Sequence, residues 1–155
     1  MAEKLLKHEI EQLGLEHVFV SSAGIFAFPG SPPDPKIVEY LMELGISTGL
    51  HEARQMTQED MEWADIIFVM EKEHRMRIEN MWPSASEKIE LLGRCVSADF
   101  EADDITDPFG RSRYHYRSAK AQITLAIKNM VKVILASQTG NGEMGEDILK
   151  RLRGE

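Results

Sequence analysis

Trp63-Ala64-Asp65-Ile66-Ile67-Phe68-Val69-Met70 is the stretch whose reading decides the fold. Ile66 to Met70 is an unbroken apolar run closed off by Asp65 and Glu71. A run of that length, rich in β-branched and aromatic side chains, predicts a short strand buried on both faces. Such a strand needs cover on each side, and helical patterns stand before and after it. The expectation is an α/β protein with three layers, α/β/α, around a small parallel sheet.

Working outward, Lys72 to Met81 predicts a helix broken by Trp82-Pro83, and Lys88 to Leu92 a second short strand. A long helical pattern starts near Ser112 and runs through Ile123, Ile127, Met130, Val131, Ile134 and Leu135. Ser137-Gln138-Thr139-Gly140-Asn141-Gly142 interrupts it, and Glu143 to Leu152 reads as a short terminal helix. Upstream, Leu5, Leu6, Ile10 and Leu13 mark one face of a helix over Met1 to Leu13, with Gly14 as its stop. His17 to Val20 reads as a strand ending in Ser21-Ser22-Ala23-Gly24. Asp34 to Leu44 predicts a helix with Ile37, Val38, Leu41 and Leu44 inward and Gly45 ending it. Thr57 with Asp60 approximates a capping arrangement for a short helix before the central strand.

Between these elements, the loop Ile25 to Pro35 holds Phe26 and Phe28, and four prolines fall in the seven residues from Pro29. Proline fixes φ, so such a loop is stiff enough to hold aromatic rings at the rim of a site; the alternative is that the rings cap the core. A second loop, Asp103-Asp104-Ile105-Thr106-Asp107-Pro108-Phe109-Gly110, is acidic but lacks the ligand spacing of a cation loop. His51, Arg54 and His74 are scattered polar residues suited to anchoring loops, and no metal set emerges from them.

Composition narrows the function classes. The 155 residues suit one core, and the net charge of -8, from 26 acidic and 18 basic side chains, disfavours nucleic acid or an anionic membrane as partner. One cysteine, Cys95, excludes a disulfide framework and a cysteine zinc cluster within the chain. Without a positive neighbour or a helix terminus to activate it, a lone thiol is expected to be inert. No apolar run is long enough to cross a membrane and no signal-peptide core opens the sequence, so a cytoplasmic location is the expectation. No cofactor is called for.

A set of short motifs in a fixed order carries more. Ser21-Ser22-Ala23-Gly24, Asp34-Pro35 leading to Leu44-Gly45-Ile46, His51-Glu52-Ala53-Arg54-Gln55, Ala64 to Met70 followed by His74, and Asp107-Pro108-Phe109-Gly110 together resemble the low-molecular-weight protein tyrosine phosphatase family, whose fold overlaps that of arsenate reductases. The resemblance spans Met1 to about Ile134. It implies a phosphatase-like domain over residues 1–136, N-terminally incomplete, and a C-terminal extension over 137–155. It also implies hydrolysis of phosphotyrosine and related phosphate monoesters through a phosphocysteine, with Asp107 as general acid for the leaving group. Phe28 and Phe109 map to the substrate rim.

The departure from that pattern is severe. The family's Cys-x5-Arg phosphate loop follows its first strand and immediately precedes the helix matching Met1-Ala2-Glu3, so neither nucleophile nor phosphate-binding arginine has a counterpart in these residues. Cys95 does not substitute, because the residue six positions on is Glu101. The missing strand lies in the family between those matching His17 to Val20 and Ile66 to Met70. Its four or five buried apolar residues, at about 1.5–3 kcal/mol each, are comparable with a domain's whole net stability of about 5–15 kcal/mol. Three readings follow. The chain begins at an internal methionine of an ordinary enzyme, through a mistaken start or truncation. Alternatively, Val131 to Ala136 with the 137–142 loop supplies a replacement strand and a flavin-phosphate loop. The third is a noncatalytic regulatory module stabilised by a protein partner or by a homodimer that fills the gap. By the family mechanism the chain alone is expected to be inactive, and its partners are a phosphoprotein substrate or a binding protein.

Overall fold

A computed structural model describes residues 1–96, 104–138 and 144–153, which fall into two units, Met1–Thr57 and Gln58–Glu155. In the first unit the apolar patterns form α1 (Ala2–Gln12) and α2 (Pro35–Glu43). Asp34 caps α2, its side chain accepting the Lys36 N–H at 2.8 Å, and Pro35 occupies the first turn, where a missing N–H costs nothing.

Both helices end in the same two-bond turn. Gly14, at φ 66°, donates to the Glu11 carbonyl at 3.2 Å while Leu15 reaches back to Ile10 at 3.0 Å. Gly45, at φ 74°, donates to Met42 at 2.9 Å while Ile46 reaches back to Leu41 at 2.8 Å. These pairs define Schellman turns, which need a left-handed residue at the glycine. The turn explains two misplaced core residues. Leu13 and Leu44, expected inward, are 45% and 44% exposed, because the helices stop just before them. Leu15 and Ile46, beyond the glycines, are buried in their stead.

The expected strand over His17 to Val20 does not form. A strand exists only by pairing, and the parallel pairing seen in this unit is a single bridge further on, between Gly24 and Gln55. Val18 instead closes a turn onto the Leu15 carbonyl at 3.1 Å, and Phe19 is 75% exposed.

The second unit contains α3 (Gln58–Trp63), β1 (Ile67–Val69), α4 (Lys72–Met81), a 3₁₀ turn from Pro83 to Lys88, and β2 (Ile89–Leu91). A second 3₁₀ turn (Leu92–Cys95), α5 (Arg113–Ser137) and α6 (Met144–Arg153) complete it. β1 and β2 pair in parallel, Ile67 opposite Ile89 and Val69 opposite Leu91, with α4 in the connection between them. All four of these side chains are buried, but Ile66, Phe68 and Met70, which alternate with Ile67 and Val69 along the run, are only half-buried, so the expected burial on both faces holds for one face of β1. Glu90, between Ile89 and Leu91, is also fully buried; its carboxylate accepts the Leu91 N–H at 3.0 Å and lies 3.4 Å from the Arg94 guanidinium. A buried carboxylate without such partners would be strongly destabilising.

The long helix runs uninterrupted through Val131 to Ala136, so no replacement strand forms there. Tyr116, Ala119, Ile123, Ala126, Ile127, Met130, Val131 and Ile134 recur at intervals that keep one stripe buried, and that stripe holds the segment helical. α5 packs on the turn Leu92–Cys95, where Asn129 donates to the Cys95 carbonyl at 2.9 Å. Residues 139–142 of the expected flavin-phosphate loop lie outside the described residues.

Candidate active site

The Asp107 loop follows Asp104 and is fastened to the carboxyl end of β1, the end of a parallel sheet at which α/β proteins place ligands. Ile105 is buried and its N–H donates to the Met70 carbonyl at 2.8 Å. Asp104 accepts the Lys72 N–H at 2.8 Å and so caps α4 from outside the helix. The Asp107 N–H donates to Glu71 Oε1 at 3.2 Å. These three bonds fix the backbone leading up to Asp107.

The turn beyond is built locally. Asp107 Oδ1 accepts the Phe109 N–H at 2.9 Å, an Asx turn, and Arg111 closes onto the Pro108 carbonyl at 2.9 Å with Gly110 at φ 72°. Asp107 is exposed, and Phe109 is 76% exposed. One carboxyl oxygen is thus committed to the turn, which sets the direction of the other. Phe109 and Asp107 share this loop; Phe28 belongs to the first unit.

The segment carrying Phe26 and Phe28 is stitched to residues 53–56. Gly24 donates to the Arg54 carbonyl at 2.9 Å, Met56 to Gly24 at 2.9 Å, and Gly30 to Ala53 at 2.9 Å. The Gln55 side chain spans the loop, donating to the Ile25 carbonyl at 2.6 Å and accepting the Ala27 N–H at 3.0 Å. The two rings are 75% and 82% exposed, so they do not cap the core.

Nearer α1, the Glu3 carboxylate accepts from Lys7 at 2.6 Å and from the Ser22 hydroxyl, with His51 Nδ1 at 3.9 Å. Burial works against the charged form, but the Lys7 and Ser22 hydrogen bonds outweigh it and hold the acid below its ordinary value. Arg54 donates to the Ser21 hydroxyl at 2.9 Å, a loop-anchoring contact of the kind its scattered position implied. The Glu3–Lys7 pair is local, four residues apart, but the Gln55 contacts span 28–30 residues and the Glu3–Ser22 contact 19, so those had no sequence signal beyond membership of a motif.

Cys95 is 4% exposed, and burial together with the Glu90 charge pushes its thiol up to about 12. A thiol in that state is no nucleophile at neutral pH. Among the described residues no group of three or more His, Cys, Asp or Glu side chains is placed to hold a metal ion.

An α/β scaffold with an Asp-Pro loop fastened at the carboxyl end of β1 is the framework of a phosphatase-like protein. A model of the family described as low molecular weight phosphotyrosine protein phosphatase matches residues 1–139, and the chain belongs to that family. A protein-arginine-phosphatase of Bacillus subtilis (strain 168) is 33% identical over 132 residues, 85% of either chain. The low molecular weight protein-tyrosine-phosphatase Wzb of Escherichia coli (strain K12) is 29% identical, covering 88% of this chain and 87% of Wzb. Among solved structures, the YwlE arginine phosphatase from Geobacillus stearothermophilus superposes with a TM-score of 0.79 at 30% identity, over 92% of this chain and 88% of YwlE.

Proposed function

We propose that this chain supplies the acid loop, aromatic rim and sheet scaffold of a phosphatase for phosphorylated protein side chains, and that the 155 residues alone do not turn over by the phosphocysteine route. The observation that carries the reading is the Asp107 loop, pinned at Met70, Glu71 and Lys72 with one carboxyl oxygen committed to its own turn. In the reaction a thiolate attacks phosphorus, the bond to the leaving group breaks, and Asp107 delivers the proton that group needs. Water then attacks phosphorus, releasing phosphate and the thiolate.

Relatives named as tyrosine and as arginine phosphatases both match most of the chain. Phenol and guanidinium leaving groups share a flat π face, which the exposed ring of Phe109, two residues from Asp107, suits, and both depart far better when protonated. The nucleophile has to come from elsewhere than Cys95. The chain alone, given p-nitrophenyl phosphate, a phosphotyrosine peptide or phosphoarginine, is expected to release no phosphate above buffer. Joined behind a strand and Cys-x5-Arg loop, it should hydrolyse at least one of the three. Turnover by the unextended chain would refute the need for an outside nucleophile, and a folded but inactive extended chain would refute the phosphatase reading.

A second reading is a noncatalytic module completed by another polypeptide. It is favoured by Phe19, 75% exposed in a segment with strand composition and no strand partner among the described residues. A second copy of the chain is the simplest occupant.

A further inference from the structure

An open groove of about 930 Å³ lies within the first unit, between α2 and the segment Thr48 to Glu52. Its apolar lining includes Pro32, Met42 and Leu50; Met42 is 67% exposed and Leu50 fully so. Apolar side chains of that size are less favourable in water than under cover. Clustered in a concavity, they mark a surface that gains by being covered. The charges around them have one sign: Glu39, Glu43 and Glu52 line the groove, and no lysine or arginine does. Glu39, Met42 and Glu43 stand three and four residues apart on α2, and therefore on one helix face. Glu43 is the last residue of α2, where the negative end of the helix dipole adds to the field.

The walls are rigid before anything binds. Pro33 and Pro35 stiffen one side, the Asp34 cap and the Gly45 turn fix both ends of α2, and reciprocal bonds between Gly30–Ser31 and Ala53 hold the two walls in register. Preorganisation lowers the entropy cost of docking.

We propose that this groove docks a basic peptide segment, one aliphatic side chain entering against Met42 and Leu50 while flanking lysines or arginines face Glu39, Glu43 and Glu52. The docking needs no phosphate and does not rest on the catalytic reading. It would hold a basic protein partner whether or not the chain turns over.

The test is fluorescence anisotropy with fluorescein-labelled Arg-Lys-Leu-Arg-Lys, alongside Glu-Glu-Leu-Glu-Glu and the Leu-to-Ser form of the basic peptide. The basic peptide should bind and the acidic one should not. Leu-to-Ser in the peptide, or Leu50→Ser in the protein, should weaken binding about fivefold or more, and E39Q/E43Q/E52Q together about tenfold or more. A control neutralising the same number of charges elsewhere, E11Q/E16Q/E62Q, should leave binding within about twofold, with thermal melts confirming that every variant is folded. No binding of the basic peptide, or equal loss from the two triple variants, would overturn the proposal. The second result would mean that the peptide reads only the overall charge of -8.

Discussion

A carboxylic acid serves as a proton donor only if its surroundings keep it aimed, and Asp107, the proposed donor, is held by Glu71 at its N–H and by the Phe109 N–H at its carboxylate. In the extended chain carrying a Cys-x5-Arg loop, Asp107→Asn should slow aryl-phosphate cleavage by about 10²–10⁴-fold, the usual range for general acid catalysis. A fall of less than threefold in single-turnover kinetics would remove Asp107 from that role. Cys95 lies at the other extreme. With its thiol pushed up to about 12, it should react with a disulfide reagent at pH 8 only when the protein is denatured, and Cys95→Ala should leave any activity of the extended chain unchanged. Rapid labelling of the native protein would contradict its burial. Glu3 makes stability depend on pH in one direction. Its folded pKa is held below 4.5, so its stabilising contribution is complete above 4.5 and is lost as pH falls through the lower, folded value. Melting temperatures across pH 3–6 should therefore decline more steeply in the parent than in Glu3→Gln. Parallel curves would show that the Lys7–Glu3–Ser22 cluster contributes nothing to folding.

At the scale of elements, what could be read in advance depended on how local the cause was. Helices α1, α2, α4 and α5 follow from apolar spacing and from stop signals a few residues away, and β1 and β2 from short apolar runs. His17 to Val20 has similar strand composition and forms none, because pairing is supplied from outside a segment and is not encoded in it. Val131 to Ala136 erred in the opposite direction: its apolar run suits a strand, but the stripe from Tyr116 onward commits it to α5. The Schellman turns are the most local device of all. Gly45→Ala should destabilise the protein by roughly 1 kcal/mol, since alanine at positive φ is strained while the space around the position is open. Chemical denaturation will measure it, and an unchanged midpoint would mean that the left-handed turn is not required.

For the whole molecule, no helix among the described residues is long and apolar enough to cross a membrane, and family membership rests on residues 1–139. If a second copy supplies pairing to the His17–Val20 segment, light scattering should return twice the 17.6 kDa chain mass, and Phe19→Asp should convert the dimer to monomer. A well-folded monomer at high concentration would end that reading. The sequence by itself determined the family, the α/β class, the helix stops at Gly14 and Gly45 and the unsuitability of Cys95, because each of these depends on residue type and short-range spacing. Only the tertiary structure decided which strand-like segments pair, that Phe26 and Phe28 face solvent, that Gln55 and Glu3 clamp their loops, and that Met42 and Leu50 lie in a groove ringed by glutamates. Those outcomes depend on partners brought together from distant parts of the chain, and a pattern of a few residues carries no record of what will stand beside it.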